Sequence, residues 1–231
     1  MVGHLAVRAH VRSQTYRIIR SIFPPIHLFE DIADPRDWEA LVAVEEKTNP
    51  RVRYEVGDLG KVPAERRVSG PGSSLVMAPF VHCSTDRPGR FSDGSYGIYY
   101  AGGTEDVAVA ETVHHHQNFM RATQQAPGWT SDFRVLVGRI DRTLDDVNAV
   151  PGVLHPTDYS ASHVEGKRLR TAGSDGLLWD SVRMPGGRCI GVFWPDVISI
   201  PDQGRHYCYH WNGKRVDYVR QYDTGAVLKV D

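Results

Sequence analysis

The sequence predicts an α+β fold with mixed, mostly antiparallel sheets and flanking helices. Short strand-like segments alternate with only a few helical ones, and an Asn-Gly pair near the end of the chain indicates a β-hairpin. No G-x-G-x-x-G or P-loop motif is present, which argues against the corresponding parallel-sheet nucleotide folds. The 231 residues are 41% hydrophobic and 24% charged, as expected for a globular protein with a buried core.

The first part of the chain is predicted to be an N-terminal extension, residues 1–70, with one helix packed on a core domain of residues 71–231. Asp34 is expected to cap that helix, with Pro35 at its first position and Pro50 just beyond its end. The two prolines of "SIFPPIHLFED", ahead of the helix, predict an extended, packed segment.

Several classes of function are disfavoured by charge and composition. A net charge of −1 gives no general attraction to nucleic acid, so an arginine cluster near the start is interpreted as a solvated face or a flexible basic segment. That cluster comprises Arg8, Arg12, Arg17 and Arg20. Three cysteines without C-x-x-C spacing favour a reducing compartment. With neither a signal-peptide pattern nor a membrane-length apolar run, we expect a cytoplasmic protein that binds neither membrane nor nucleic acid directly.

A strand, tight turn and helix are predicted between residues 97 and 120. "GIYYA" is a short strand, Gly102-Gly103 ends it, and Thr104 caps the helix that follows. Glu111 falls on the helix stripe expected to face the interior, where an unpaired carboxylate is costly. Small neighbours such as Ala108 leave room beside it for a ligand, although a glutamate that reaches solvent at the helix edge is the alternative.

The second half is predicted to contribute further strands, one helix and the hairpin. Strands are expected at 133–141, 176–182 and 188–194. A helix is expected from a cap at Thr157 to a closing Gly173. In the hairpin, a two-residue Asn212-Gly213 turn would place Tyr209 opposite Val216.

A metal site is a weaker interpretation of the same helix. Glu111 and His114 form E-x-x-H, but the second such motif of di-iron proteins is missing. Residues 114–116 are all histidine and point around the helix at about 100° steps, so they cannot share one ion. We expect them to be a solvated helix end and expect no metal, with a metal hydrolase using Glu111 and His114 or His115 as a remaining alternative.

"RFSDGSYGIYYAGGTEDVAVAETVHH" resembles the core signature of RES-domain proteins. In that family a loop arginine is followed after ten residues by a strand tyrosine and after eleven more by a helix glutamate, which here are Arg90, Tyr100 and Glu111. "GLLWDSVRMPGGRCIGVFWPD" resembles the second block and makes Ser181 the family serine. Arg17, in "YRIIRSIFPP", stands in the position of an early arginine.

The resemblance covers roughly residues 15–200, with Phe91 where many members have tryptophan. It implies an ADP-ribosyltransferase-like core and a substrate, NAD, that is destroyed or used to modify a protein. It also implies a toxin of a bacterial toxin–antitoxin pair, whose partner is an antitoxin with an Xre-like helix-turn-helix domain. A protein target of ADP-ribosylation would be a second partner.

Residue chemistry is consistent with cleavage of the nicotinamide–ribose bond, which passes through an oxocarbenium-like state. Glu111 would stabilise that charge, while Arg90 and Arg17 would bind the pyrophosphate through planar donor forks. Tyr100 would stack on nicotinamide, and Ser181 would orient the carboxamide or the glutamate. A module that binds the nucleotide without chemistry is the alternative from another functional class.

Overall fold

A computed structural model describes residues 7–31 and 33–230. Over these residues the strands are β1 (Val7–Arg20), β2 (Tyr99–Gly102), β3 (Trp129–Asp146), β4 (Gly176–Asp180), β5 (Arg188–Val192), β6 (Asp202–Trp211), β7 (Val216–Gln221) and β8 (Val227–Lys229). The α-helices are α1 (His27–Glu30), α2 (Trp38–Glu45), α3 (Val52–Val56), α4 (Ser74–Val81), α5 (Glu105–Arg121) and α6 (Ser160–Thr171). None of the helices within this part of the chain is long and apolar enough to cross a membrane.

The strands form one mixed sheet in the order β1-β2-β5-β4-β3-β6-β7-β8. Only the β3–β4 pair is parallel, so the prediction of an α+β fold with mostly antiparallel strands is confirmed. β1 also pairs with β3 along its whole length, from Val7 opposite Asp146 to Arg20 opposite Phe133. Strands β1, β2, β5, β4 and β3 therefore close into a ring, with β6, β7 and β8 extending from β3.

Helices cover both faces of the ring strands. On one face, α2, α3 and α4 pack over a core that includes Tyr99, Ile190 and Leu178. On the other, α5 and α6 pack over a core that includes Trp179 and Cys189. α5 also covers β1, β3, β6 and β7 through a third core, in which Ala108 and Val113 meet Ile18, Phe133 and Tyr209. Because side chains alternate along a strand, β2 sends Tyr99 to the first face and Tyr100 to the face under α5.

The arginine-rich start of the chain is a strand rather than a flexible segment. Arg8 and Arg12 are exposed, as a solvated face requires, whereas Arg17 is only partly accessible and turns toward the sheet. β1 joins the same sheet as the strands that follow residue 71, while the division of the chain at residue 70 stays a prediction. Between β1 and α2, the segment predicted to be extended contains the single-turn helix α1.

Helix α2 begins three residues later than predicted. Asp34 does not cap it; instead Asp34 Oδ1 accepts hydrogen bonds from the Arg36 backbone N–H and guanidinium, at 2.9 and 3.0 Å. This local turn occupies residues 34–37, and the helix starts at Trp38. The carboxylate of Asp34 thus stabilises the turn before the helix, and the residue at the helix N-cap is Asp37.

Helix α6 also begins later, at Ser160 rather than just after Thr157. His155 Nδ1 accepts from the backbone N–H groups of Thr157 and Asp158 at 3.3 and 2.8 Å, which holds the chain in a turn before the helix. The predicted end is confirmed, since Gly173 follows the last turn with φ at +79°.

The predicted register of the β6–β7 hairpin is wrong. Trp211 pairs with Val216, so a four-residue loop separates the strands and Tyr209 does not face Val216. Only Gly213 has a positive φ, at +94°, whereas a two-residue type I′ turn needs it at both positions. The Asn212 side chain instead accepts from two later backbone N–H groups of the loop, at 3.0 Å each, and this contact stabilises the longer turn.

Helix α5 has the predicted cap, but its histidines differ from one another. Thr104 Oγ1 accepts from Val107 N at 3.3 Å, and the helix continues to Arg121. His115 is exposed, in line with a solvated helix end. The expectation is wrong for His116, which is 6% exposed and packs edge-on against Phe133 and Tyr209.

We expect His116 to make the protein less stable in acid. Burial lowers the pKa of His116 to about 4, so the unfolded chain takes up a proton near pH 6.5 that the native protein resists until about pH 4. Stability should therefore fall as the pH drops through this window, with a contribution of up to about 3 kcal/mol from this group. His116→Phe should reduce the loss in unfolding free energy between pH 7 and pH 4.5, measured with urea. An equal loss in His116→Phe and wild type would contradict the assignment, and His206→Gln, at an exposed position, is the control.

Candidate functional site

The two sequence blocks meet at one hydrogen bond between α5 and the end of β4. Ser181 Oγ donates to Glu111 Oε1 at 2.7 Å, although the two residues are 70 positions apart in sequence. Ser181 is 8% exposed and Glu111 is half-buried, so the pair lies at the base of an accessible surface. The pairing of β2 with β5, and of β5 with β4, brings the start of α5 to the residue that follows β4.

The hydroxyl of Ser181 is held as a donor by the loop after β4. Ser181 Oγ accepts from the backbone N–H groups of Arg183 and Met184, both at 3.1 Å. Ser181 N in turn donates to Gly187 O at 2.8 Å, which closes the loop. With its acceptor lone pairs engaged, the hydroxyl proton is directed at Glu111.

Cys189 is a further neighbour of Glu111, and sequence reasoning missed it. Its Sγ lies 3.6 Å from the same oxygen, Oε1, and the residue is 2% exposed. Burial, reinforced by the charge of Glu111, raises the pKa of the Cys189 thiol, so the thiol stays protonated and faces the carboxylate as a weak donor. Among the residues that the structure describes, no donor contacts Glu111 Oε2. The Glu111 carboxylate is thus held through Oε1, and Oε2 is available to accept a hydrogen bond from a ligand.

Arg90 lies in the same region and fixes the segment between β3 and α6. It is 6% exposed, and its Nη1 donates to the carbonyl oxygens of Val153 and His155 at 3.1 and 2.8 Å. Its guanidinium carbon lies 4.5 Å from the centre of the Tyr159 ring. Burial lowers the pKa of Arg90, while the charges of Tyr159 and then Glu111 oppose that change. The Glu111 carboxylate and the Arg90 guanidinium therefore lie near enough to attract each other.

Tyr100 connects the loop of Arg90 to the sheet. Its hydroxyl accepts from Phe91 N at 2.9 Å, and its ring meets Trp179 edge-on at 6.1 Å. Burial raises the pKa of the Tyr100 phenol, which therefore stays neutral. Of the residues singled out from the sequence, Arg90, Tyr100, Glu111 and Ser181 are brought together on the α5 face of the sheet.

The glycines of the Arg90 loop lie close to neighbouring protein atoms. A Cβ at Gly94 would lie 2.1 Å from Ser84 O, and one at Gly97 would lie 2.2 Å from Pro79 O. At Gly89 the obstacle would be the Tyr100 hydroxyl, at 2.8 Å. These positions need glycine so that the loop can pack against neighbouring backbone and Tyr100.

Arg17 is not brought into this group. Its position next to Tyr16, which pairs with Gly102, puts its side chain on the Tyr99 face, opposite α5 and Glu111. Its guanidinium carbon lies 4.7 Å from the centre of the Tyr99 ring, and Nη1 donates to Tyr100 O at 3.0 Å. Arg17 thus contacts strand β2, and its expected contact with a pyrophosphate stays a prediction.

Two other side chains, Arg183 and His114, belong to the surroundings of Glu111, and sequence reasoning missed Arg183. Arg183 Nη2 donates to Pro156 O, so Arg90 and Arg183 both hold carbonyl oxygens of the segment before α6. Burial, followed by the charge of Arg183, lowers the pKa of His114 to about 4 and keeps that imidazole neutral. His114 and Arg183 also line an open groove of about 450 Å³ between α5 and β8, beside the Glu111 group.

The part of the chain that the structure describes contains no cluster of side chains that could hold a metal ion. There, no three acidic, histidine or cysteine side chains are grouped as metal ligands would be. His114 Nε2 lies 3.1 Å from Asn118 Nδ2, and His116 points into the core on another side of the helix. The expectation of a metal-free site stays a prediction.

Comparison with known proteins identifies relatives of the chain. A family model described as the RES domain matches residues 64–212. A protein of Sinorhizobium fredii, described as uncharacterized protein y4oC, is 30% identical over 221 residues, which cover 94% of this chain and 90% of that protein. A chain in the crystal structure of the M. tuberculosis MbcT–MbcA toxin–antitoxin complex is 10% identical, with a TM-score of 0.45 and coverage of 86% of this chain and 85% of that one.

Proposed function

This chain belongs to the RES domain family, and we propose that it is a toxin that cleaves the nicotinamide–ribose bond of NAD at the Glu111 site. The substrate follows from the family resemblance. The observation that carries the site assignment is the Ser181–Glu111 hydrogen bond, because it joins the two family blocks around one carboxylate. ADP-ribose would then pass to a protein acceptor, to water or to phosphate.

The position of Glu111 suits the charge that develops in this reaction. When the bond breaks, its electron pair leaves with nicotinamide, which becomes neutral, and positive charge builds on the ribose ring. A carboxylate fixed in advance stabilises that charge without reorganisation. Ser181 and Cys189 hold Oε1, which leaves Oε2 for the ribose hydroxyls and the developing cation. No general acid is required, since the leaving group departs uncharged.

Arg90 and Tyr100 would bind the remaining parts of NAD. Arg90 uses Nη1 for the carbonyl oxygens of Val153 and His155, and the described residues provide no hydrogen-bond partner for its Nε and Nη2. Those donors are available to a pyrophosphate oxygen, for which an arginine fork is well matched. Tyr100, fixed through its hydroxyl, offers a half-buried ring to the nicotinamide.

An antitoxin with an Xre-like helix-turn-helix domain is the proposed partner. A cell that makes an NAD-consuming enzyme needs its cleft blocked, and a protein segment inserted beside Arg90 would do this. Co-expression with such a protein, encoded next to this chain, should suppress NAD consumption. The two proteins should also co-purify as a complex.

We expect Ser181→Ala to reduce turnover without preventing NAD binding. Loss of its hydrogen bond frees the Glu111 carboxylate to rotate, and we expect kcat to fall about 10- to 100-fold with KM changed less than about threefold. Steady-state kinetics on purified protein measure both constants. Ser13→Ala, the same substitution at an exposed position of β1, is the matched control and should leave both constants unchanged. A pure KM effect of Ser181→Ala would show that Ser181 binds substrate instead of positioning Glu111.

The proposed function is tested by incubating purified wild-type protein with NAD and measuring free nicotinamide by chromatography. Release of nicotinamide in many turnovers is expected, and it should survive chelating agents. NAD binding without any nicotinamide release would instead identify a non-catalytic nucleotide-binding module. Loss of activity with chelators, together with stoichiometric bound metal, would identify a metal-dependent enzyme. NAD labelled in the adenylate, added with cell lysate, distinguishes a labelled protein acceptor from water and phosphate.

A further inference from the structure

A second cavity, of about 340 Å³, lies at the C-terminal end of α6, away from the Glu111 group. Three cationic side chains, Lys61, Lys167 and Arg170, line it, and its lining contains no carboxylate. Ser95 and Thr171 add hydroxyl groups to its wall. The helix end contributes about half a negative charge, which three cations outweigh.

Arg170 is the central residue of this cavity, because it is a partly buried cation without an acidic partner. Its guanidinium carbon lies 4.2 Å from the centre of the Trp194 ring and 4.9 Å from that of Tyr96. Its hydrogen bond to Lys61 O is long, at 3.4 Å, and its Nε is buried with no partner among the described residues. Arginines in such surroundings are normally paired with an acid, as Arg66 on the same Trp194 ring is paired with Asp175 and Asp196.

The other two cations, Lys61 and Lys167, add positive charge, and neither forms a salt bridge with a carboxylate among the described residues. Lys61 Nζ is held by Cys83 O at 2.7 Å, whereas Lys167 is exposed at the rim. The Asp93 carboxylate interacts electrostatically with Lys167, but it is not part of the cavity lining and accepts from the backbone N–H and hydroxyl of Ser95 at 2.9 and 2.5 Å. Positive potential inside a concave surface concentrates anions there.

We propose that this cavity is a binding site for a phosphate group, carried by inorganic phosphate or by a nucleoside monophosphate. A dianion supplies the counter-charge that Arg170 lacks, and the arginine fork with two lysines matches its oxygens. The volume falls in the range of pockets that hold small molecules. The inference stands on Arg170 and its neighbours and does not depend on the proposed function.

The phosphate site is separate from the Glu111 group. Tyr159, which stacks on Arg90, precedes the first turn of α6, and Thr171 ends the last of its 12 residues, about 18 Å away along the axis. The lining of this cavity contains none of Arg90, Tyr100, Glu111 and Ser181. One physical connection exists, since the Tyr96 hydroxyl donates to Phe91 O at 2.6 Å, next to Arg90.

Calorimetric titration with inorganic phosphate and with AMP, at constant ionic strength in chloride, tests the proposal. Wild type should bind phosphate, and Lys167→Glu, at an exposed position, should weaken binding about tenfold or more, as should Arg170→Gln. Lys47→Glu, on an exposed turn elsewhere, is the matched control and should bind as wild type does. Tighter binding of AMP than of phosphate, lost in Lys167→Glu, would identify a nucleotide as ligand; equal affinities would identify the phosphate group alone.

The proposal is overturned if wild type binds neither compound, or if Lys167→Glu and wild type have equal dissociation constants for both. Because AMP resembles part of NAD, its titration is repeated with Arg90→Lys, which removes the proposed pyrophosphate contact and should leave binding at this cavity unchanged. Phosphate should also raise the melting temperature of wild type but not that of Lys167→Glu, as expected for a ligand that binds only the folded state.

Discussion

Replacing Glu111 by glutamine is expected to lower the rate of nicotinamide release from NAD by about 10²- to 10³-fold. The amide keeps an oxygen that accepts from Ser181 Oγ, so the side chain should stay in place while its negative charge is lost. Electrostatic groups aimed at developing charge contribute effects of this size in enzymes. The loss should appear in kcat more than in KM, because the charge is needed chiefly in the transition state.

The control for Glu111→Gln is the same substitution at Glu65, which is exposed and does not touch the Glu111 group. That variant should retain wild-type rates. Both proteins should keep the circular dichroism spectrum and melting temperature of wild type within a few degrees. Equal rates in Glu111→Gln and wild type, with folding intact, would remove Glu111 from the mechanism.

Arg90→Lys is expected to lose both substrate affinity and stability. Lysine keeps the charge but lacks Nη1, which contacts the carbonyl oxygens of Val153 and His155, and the other nitrogens of the planar fork, which would bind the pyrophosphate. It also cannot stack on Tyr159 as a flat group. Loss of charged, buried hydrogen bonds should cost about 2–4 kcal/mol of unfolding free energy. The KM for NAD should rise about tenfold or more, since a pyrophosphate contact is lost in the ground state as well as in the transition state.

Urea unfolding and steady-state kinetics measure the two effects of Arg90→Lys separately. Arg87→Lys, at an exposed position of the same loop, is the matched control and should change neither. If Arg90→Lys lowered stability but left KM and kcat unchanged, Arg90 would be a structural residue of the segment before α6 and not a ligand of NAD.

The relative placement of Tyr100 and Glu111, which the family resemblance singled out, is determined by local geometry. A tight turn between β2 and α5, with Thr104 as cap, fixes Tyr100 and Glu111 relative to each other within one short segment. Ser181 is distant in sequence, and only the family resemblance connected it to Glu111. The observed hydrogen bond shows that the connection is spatial.

The errors arose where long-range pairing or side-chain competition decides the outcome. Strand β1 is held by its pairing with β3, a partner more than a hundred residues away, and its alternating pattern is obscured by charged residues. That pairing sets the face to which Arg17 points, which no local pattern reveals. The predictions for Asp34 as a helix cap and Asn212 as a tight-turn residue rest on intrinsic preferences. In the structure each side chain accepts a hydrogen bond from a backbone N–H two residues later. Cys189 reached Glu111 only through sheet register.

The most direct measurement is a crystal structure of Glu111→Gln soaked with NAD. We predict that the nicotinamide ribose lies within hydrogen-bonding distance of the side chain at position 111, with the pyrophosphate on Arg90 and the nicotinamide ring against Tyr100. NAD bound elsewhere, such as wholly in the groove between α5 and β8 with its ribose away from position 111, would contradict the proposed site.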